Sequence, residues 1–429
     1  MKLFQQMLVA FTGLSLITPI GAEASDFNIE GMNTYVRKKS SSKKQKKFNS
    51  NSFANDFVGT NQKVDSLNVN PNKFDAGSFS DTTTLDGKAV FALGGIDGYS
   101  ELSSSTPEDI SFNYVYQMNL NTSFTGDDNL YVRLKTGEWD DSFKMKGSTY
   151  HIEAKDNSDK MKVDKMWYTN SIGDSVTLTV GPLIENYYML AATPSIYKPG
   201  ALKAFKLGGH SSAFGASTST GVGLKYEADN GFASSITLNS KGASGTSGLL
   251  TDKDENKVNA QIAYTSDQYH ASATYSKQVP NLDAWCYYAT EDACYASISS
   301  ADAVALRAWW RPEETGTAVP SITVGYDTIN FEDHDKAEDA SGYMVGLNWA
   351  DMFQPSDKIG VAVGSVLSID DHVAGVADNE VDPFLWEAYY SFRPNDSIEV
   401  TPALFGGSEV YGDTADDIFG AVVTTTFKF

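Results

Sequence analysis

The sequence predicts an all-β protein, a transmembrane antiparallel up-and-down β-barrel of about 16 strands preceded by a short disordered N-terminal tail. Three observations predict it. The final segment, Phe419 to Phe429 (FGAVVTTTFKF), sets Phe419, Ala421, Val423, Thr425, Phe427 and Phe429 on one parity and Gly420, Thr424, Thr426 and Lys428 on the other. Two-residue alternation of that kind gives a strand one apolar and one polar face. The first residues read as an export signal, and the chain between repeats strands of about nine residues joined alternately by short turns and longer polar loops.

Residues 1–24 carry a basic start at Lys2, an apolar stretch from Leu8 to Ile20 and the small-x-small site Ala22-Glu23-Ala24, the pattern of a cleaved signal peptide. Beyond it there is no run of 18 apolar residues, so no transmembrane helix is expected. An exported chain of this kind enters a membrane as a closed barrel, since only helices and closed barrels pair every backbone polar group in lipid. Composition agrees. Hydrophobic residues are 41% and aromatics 12%, as suits a wet lumen with aromatic rims.

Residues 25–80 form the tail. Its cluster Arg37, Lys38, Lys39, Lys43, Lys44, Lys46 and Lys47 gives residues 1–47 a net charge of +5, which leaves −27 on the remainder. Low complexity and few apolar residues predict disorder there. Such a tail is either a solvated spacer or an electrostatic contact to an anionic surface such as peptidoglycan. Export and an acidic barrel exclude nucleic acid as a partner.

Residues 81–429 form the barrel, with strands expected near 83–94, 111–124, 128–136, 160–169, 174–181, 219–227, 231–239, 256–265, 268–277, 302–310, 320–328, 342–350, 359–367, 384–392, 399–407 and 418–429. An even count closes a single-chain barrel, and sixteen strands leave room for an aqueous channel. Short connections rich in Gly, Pro, Asp and Asn, such as Asn170–Gly173 and Gln354–Asp357, are expected on the periplasmic side. The longer loops, about 95–110, 137–159, 182–218, 240–255, 278–301, 329–341, 368–383 and 408–417, are expected to face outward.

Aromatics close the strands that descend to the short turns: Phe124, Trp167 with Tyr168, Tyr226, Tyr264, Trp309 with Trp310, Trp349, Tyr390 with Phe392, and Phe427 with Phe429. Rings of this kind settle at the hydrocarbon–headgroup boundary, so they predict one rim of a girdle. Strand faces alternate as well. Val258, Ala260, Ile262 and Tyr264 oppose Asn259 and Gln261, Ile322, Val324 and Tyr326 oppose Thr323 and Asp327, and Leu130, Val132 and Leu134 oppose Tyr131, Arg133 and Lys135. Cys286 and Cys294 lie in one short stretch of an exported chain and are expected to form a local disulfide, with free thiols the alternative.

The segments TTLDGKAVFAL (83–93), DKMWYTNSIGDSVTLTVGP (164–182), AWWRPEETGTAVPSITVGYD (308–327) and PFLWEAYYSFRPNDSIEVTPALFGG (383–407) resemble the cyanobacterial outer-membrane porins, often labelled iron-uptake porins, a family similar to the carbohydrate-selective porins. The resemblance covers about 83–429. It implies an outer-membrane, sixteen-stranded, trimeric channel for passive diffusion of ions and small hydrophilic nutrients, among them carbohydrates or iron. One departure stands out. About 55 residues separate Ala24 from the barrel, too few for the cell-wall-binding domain and coiled coil that many members carry. The alternative reading is a structural protein that tethers the membrane to peptidoglycan through the basic tail.

Catalytic signatures are absent from the sequence: the five histidines have no metal-ligand spacing, and no G-x-S-x-G, HExxH or phosphate loop occurs. No enzyme activity, cofactor or metal site is expected. The acidic clusters at 252–255, 332–335 and 413–417 read as solvated loop tips, with divalent-cation binding as the alternative.

The third outer loop is the longest, and by analogy with general porins it folds inward as a constriction. The candidate constriction residues are Arg133, Lys135, Glu185, Lys198, Lys203, Lys206 and His210. Basic residues there would favour anions, while acidic outer loops would concentrate cations at the mouth. Tyr187, Tyr188 and Tyr197 either offer a sugar-stacking surface or pack the loop against the wall. Phe427 and Phe429 are the expected assembly signal read by the barrel-assembly machinery. The remaining partners expected are outer-membrane lipids and two further copies of the chain.

Overall fold

The computed structural model describes residues 82–98, 110–139, 151–209, 214, 218–241, 254–279, 300–333, 337–365, 367–375, 382–410 and 417–429. Its strands are β1 (Thr83–Asp97), β2 (Ser111–Thr122), β3 (Asp128–Glu138), β4 (Lys162–Ile172), β5 (Val176–Glu185), β6 (Thr218–Glu227), β7 (Phe232–Ser240), β8 (Asn256–Thr265), β9 (Tyr269–Val279), β10 (Ser300–Trp310), β11 (Ser321–Glu332), β12 (Ala337–Ala350), β13 (Lys358–Gly364), β14 (Ser368–His372), β15 (Phe384–Asn395), β16 (Ile398–Ser408) and β17 (Ile418–Lys428). β13 and β14 are two pieces of one stave, since both pair with β12. The described residues thus form 16 staves, each antiparallel to its neighbour in sequence. The ring closes where β1 pairs β17 from Lys88↔Lys428 to Asp97↔Phe419. Every expected strand is present. The expected loop 329–341 is instead largely a hairpin, because the β11–β12 ladder continues through Asn330↔Asp339 and keeps its backbone groups paired beyond the barrel wall.

Closure is completed by the last residue. Gly87 N donates to Phe429 O at 2.9 Å and Phe429 N to Gly87 O at 3.1 Å. The Phe429 ring lies 2.6 Å from where a Cβ on Gly87 would stand, so only glycine fits beneath it. Phe427 meets Phe91 edge-on at 5.3 Å, and Phe429 stacks on Tyr116 at 5.8 Å.

Side-chain alternation divides the wall as expected. On β8, Ile262 is 61% exposed on the outer face while Gln261, beside it, is 1% exposed. Tyr326 is exposed and Asp327 buried on β11, and Tyr131 and Arg133 point inward on β3. The girdle needs one correction. Trp167 and Trp309 are 3% and 6% exposed and face the lumen, where Trp167 packs on Tyr131 at 4.2 Å and Trp309 on His270 at 5.6 Å. In a tandem aromatic pair on a strand only one member can face outward. Tyr168 and Trp310 are those members.

Short turns gather on one rim, and two of them share a device. Asp128 accepts from the Ser123 hydroxyl and from the N–H groups of Phe124 and Thr125 at 2.8–2.9 Å. Asp357 accepts from the N–H groups of Met352, Phe353 and Gln354. A tyrosine of the next stave adds its hydroxyl to each, Tyr168 to Asp128 and Tyr390 to Asp357. Asp side chains in turns replace backbone partners that the tight geometry leaves unpaired.

Candidate functional site

The connection between β5 and β6 (L3), in its described residues 186–209 and 214, is folded into the barrel and pinned to the wall at three places. Ala191 N donates to Ser235 Oγ on β7, and Ala192 exchanges two hydrogen bonds with the Gln261 amide on β8. On β10, Arg307 Nε donates to Leu207 O at 2.7 Å while its Nη2 pairs Asp327 at 2.7 Å, both side chains being fully buried. On β15, Glu387 accepts four hydrogen bonds: from the Tyr197 hydroxyl at 2.8 Å and from the N–H groups of Gly200, Ala201 and Leu202 at 3.0, 3.1 and 2.8 Å. Successive N–H groups make an anion-binding concavity. β8 and β15 stand well apart around the ring, so L3 crosses the lumen.

Apolar packing follows the same path. Tyr197, Leu202, Ala204 and Phe205 of L3 are buried with Met344, Ala362, Leu385 and Tyr389 of the wall. Small inward residues let the loop approach. At Gly325 a Cβ would stand 1.7 Å from Gly208 O, so any side chain there would expel the loop. The described part of the connection between β3 and β4 (L2), residues 139 and 151–161, meets the tip of L3, with Ile152 N donating to Ala201 O at 2.7 Å. His151 of L2 packs on Trp139 at 4.9 Å, and its Nε2 lies 3.2 Å from Thr424 Oγ1 on β17. Burial pushes the His151 imidazole down to about 4.

The inner face of β1–β4 carries charge. Register places Lys88, Gln117 and Lys135 opposite one another on β1, β2 and β3, with Asn119, Arg133 and Lys165 in the row beside them. Lys165 pairs Glu185 at 2.9 Å, Lys155 pairs Asp164 at 3.2 Å, and Lys88 pairs Glu153 of L2. Burial alone would raise the Glu153 carboxyl, but Lys88 and then Lys135 outweigh it and hold it down to about 2. A stack of rings joins this wall to L3: Tyr131 on Trp167, Trp167 on Tyr188 at 5.2 Å, and Tyr188 on Tyr187 at 4.7 Å. Lys206 ends the series, 4.6 Å above the Tyr187 ring. Burial, and next the neighbouring Lys206, push the Lys203 ammonium down to about 8.

Of the candidate residues, Arg133 and Lys135 lie on the inner face of β3, Glu185 ends β5, and Lys198, Lys203 and Lys206 lie on L3. Glu185 is joined to the β3–β4 wall by its pair with Lys165, and Lys206 by the ring stack that ends on Tyr187. His210, Cys286 and Cys294 lie outside the described residues. Tyr197 packs the loop against the wall, whereas Tyr187 and Tyr188 belong to the ring stack. Asp254 and Glu255 serve neighbouring strands through Ser240 and Lys241. No group of three His, Cys, Asp or Glu among the described residues is placed to hold a metal ion. Glu387, Arg307, Asp164 and Lys165 escaped the sequence reading. An inward-parity acid between apolar neighbours, as in Leu385-Trp386-Glu387-Ala388, is the signal that marks Glu387.

A closed sixteen-stave barrel with a loop seated in its lumen defines the class of outer-membrane diffusion channels. Residues 58–429 match the carbohydrate-selective porin, OprB family, and the chain belongs to that family. Uncharacterized proteins of Nostoc sp. and Synechocystis sp. are 24% and 22% identical over 422 and 380 residues, covering 88% and 80% of this chain and 70% and 68% of theirs. Among solved structures, Pseudomonas putida OprB at high pH superposes with a TM-score of 0.58 at 13% identity, covering 81% of this chain and 94% of its own. A loop-deletion variant of Vibrio cholerae OmpT gives 0.53 at 10% identity, covering 81% and 99%. The protein is an outer-membrane channel for passive diffusion of small solutes.

Proposed function

We propose that solutes pass between L3 and the inner face of β1–β4, with Arg133, Lys135, Glu185, Lys198, Lys203 and Lys206 lining the constriction. The observation that carries this reading is the four-donor clasp on Glu387. It seats the tip of L3 against β15, with β16 and β17 between that stave and β1. Together with the anchors on β8 and β10, the stave opposite β1–β4, the clasp holds L3 across the lumen, narrows it and leaves the polar face of β1–β4 to water and solute. The solutes are small and hydrophilic and pass unchanged, and no catalytic role is assigned to any residue. The working unit is a homotrimer, as the family resemblance implies. The assembly machinery recognises the seam at Phe427 and Phe429.

Liposome swelling tests the reading. Vesicles carrying the purified protein should admit monosaccharides faster than trisaccharides, with uncharged sugars used throughout. Folded protein that admits none of them would contradict it.

A further inference from the structure

We infer that the passage contains a binding site for a multivalent oxyanion, inorganic phosphate or a phosphate carried on a sugar, held between Arg133 and Lys135 on the β3 wall and Lys206 on L3. The inference rests on the path proposed for solutes above.

It starts from an imbalance of charge. Asp164 is shared by three cations, at 3.2 Å from Lys155, 3.8 Å from Arg133 and 4.0 Å from Lys165. Lys165 has a second acid in Glu185, and Glu153 is taken by Lys88. Lys135 and Lys206 have no carboxylate at ion-pair distance among the described residues; the Lys206 ammonium donates to the Tyr187 hydroxyl at 2.8 Å and lies over its ring. Partly buried ammonium groups without a carboxylate partner are costly. A bound anion would remove that cost.

The signs on the two sides of the passage matter as much as their sum. A basic wall opposite an acidic loop would create a transverse field and admit ions of both signs. Here the wall sets Lys88, Arg133, Lys135 and Lys165 against Asp86 and Asp164, and L3 adds Lys206, so cations are in excess on both sides and anions concentrate between them. This runs against the protein as a whole, which carries a net charge of −22.

The donor geometry selects an anion with several oxygens. Arg133 Nε is committed to the Tyr131 hydroxyl at 2.9 Å, which fixes the plane of the guanidinium. Its ring contacts with Tyr131 and Tyr188, at 5.5 and 6.0 Å, hold that plane beside the opening. A fixed fork on one side and ammonium groups on both match a phosphate better than a spherical halide.

The test is chloride current through the full-length protein in planar bilayers, with inorganic phosphate, glucose 6-phosphate and glucose added in turn. Reversal potentials under a salt gradient should have the sign of an anion-preferring pore, and both phosphates should reduce the chloride current while glucose does not. Tighter block by glucose 6-phosphate would assign the phosphate to a sugar, and equal block to the free ion. Lys206→Gln should weaken block by about tenfold, the change that a charge-assisted hydrogen bond of ~1.4 kcal/mol gives. Asp164→Asn should strengthen it, a gain that damage to the fold does not produce. A conducting wild-type pore that phosphate leaves untouched, or one that prefers cations, would overturn the site and leave the channel reading standing. Absence of conductance from folded protein would overturn both.

Discussion

At the scale of single residues, buried polar groups on the wall decide where L3 sits. Glu387 satisfies three backbone N–H groups and one hydroxyl at once, and each such group left unpaired in a buried place costs about 1–3 kcal/mol. Arg307 does the same for Leu207 O while its charge is met by Asp327. Lys203 adds a pH dependence. Its ammonium, pushed down to about 8 by burial first and by Lys206 next, is charged below that pH and neutral above it, whereas in an unfolded chain it would stay charged up to its ordinary 10.5. The native state therefore binds fewer protons than the unfolded one between those values, and stability gains from this group as pH rises through that window. Anion preference moves the other way. Reversal potentials should lose part of their anion selectivity as pH rises through about 8, and Lys203→Gln should shrink that step.

At the scale of elements, the strands were legible because period-two alternation and turn chemistry are local. Each hairpin carries its own signal, as at Gln354–Asp357 and in the Ile262/Gln261 alternation. The aromatic pairs were half legible: Trp310 and Tyr168 follow the rim rule, while Trp167 and Trp309 serve lumen contacts that no rim pattern records. Turns gain from Asp128 and Asp357 more than their composition suggested. Asp357→Ala removes an acceptor for three N–H groups and for the Tyr390 hydroxyl. We expect it to cost about 1–3 kcal/mol, read as a lower midpoint in the heat-dependent mobility shift of the folded barrel. An unchanged midpoint would mean that water serves those groups equally well.

At the scale of the whole molecule, the sequence showed a long basic loop, and parity and charge picked out inward residues of β3 beside it as constriction candidates. The grip on that loop could not be read, because Glu387 and Gly200 are 187 positions apart and meet only once the ring has closed. The same closure brings Lys206 to the β3–β4 wall through the ring stack that ends on Tyr187. On the path proposed above, selectivity belongs to the folded ring, set by which charges it brings together.

The most direct test of the account is single-channel recording of the wild-type protein beside Glu387→Ala. Stable ohmic steps from the wild type, and larger and noisier steps from the variant at unchanged barrel folding, are the predicted result, since releasing the tip of L3 widens the passage. Equal conductance from the two, or no steps from correctly folded wild-type protein, would contradict the claim that a loop clasped across the lumen sets the channel.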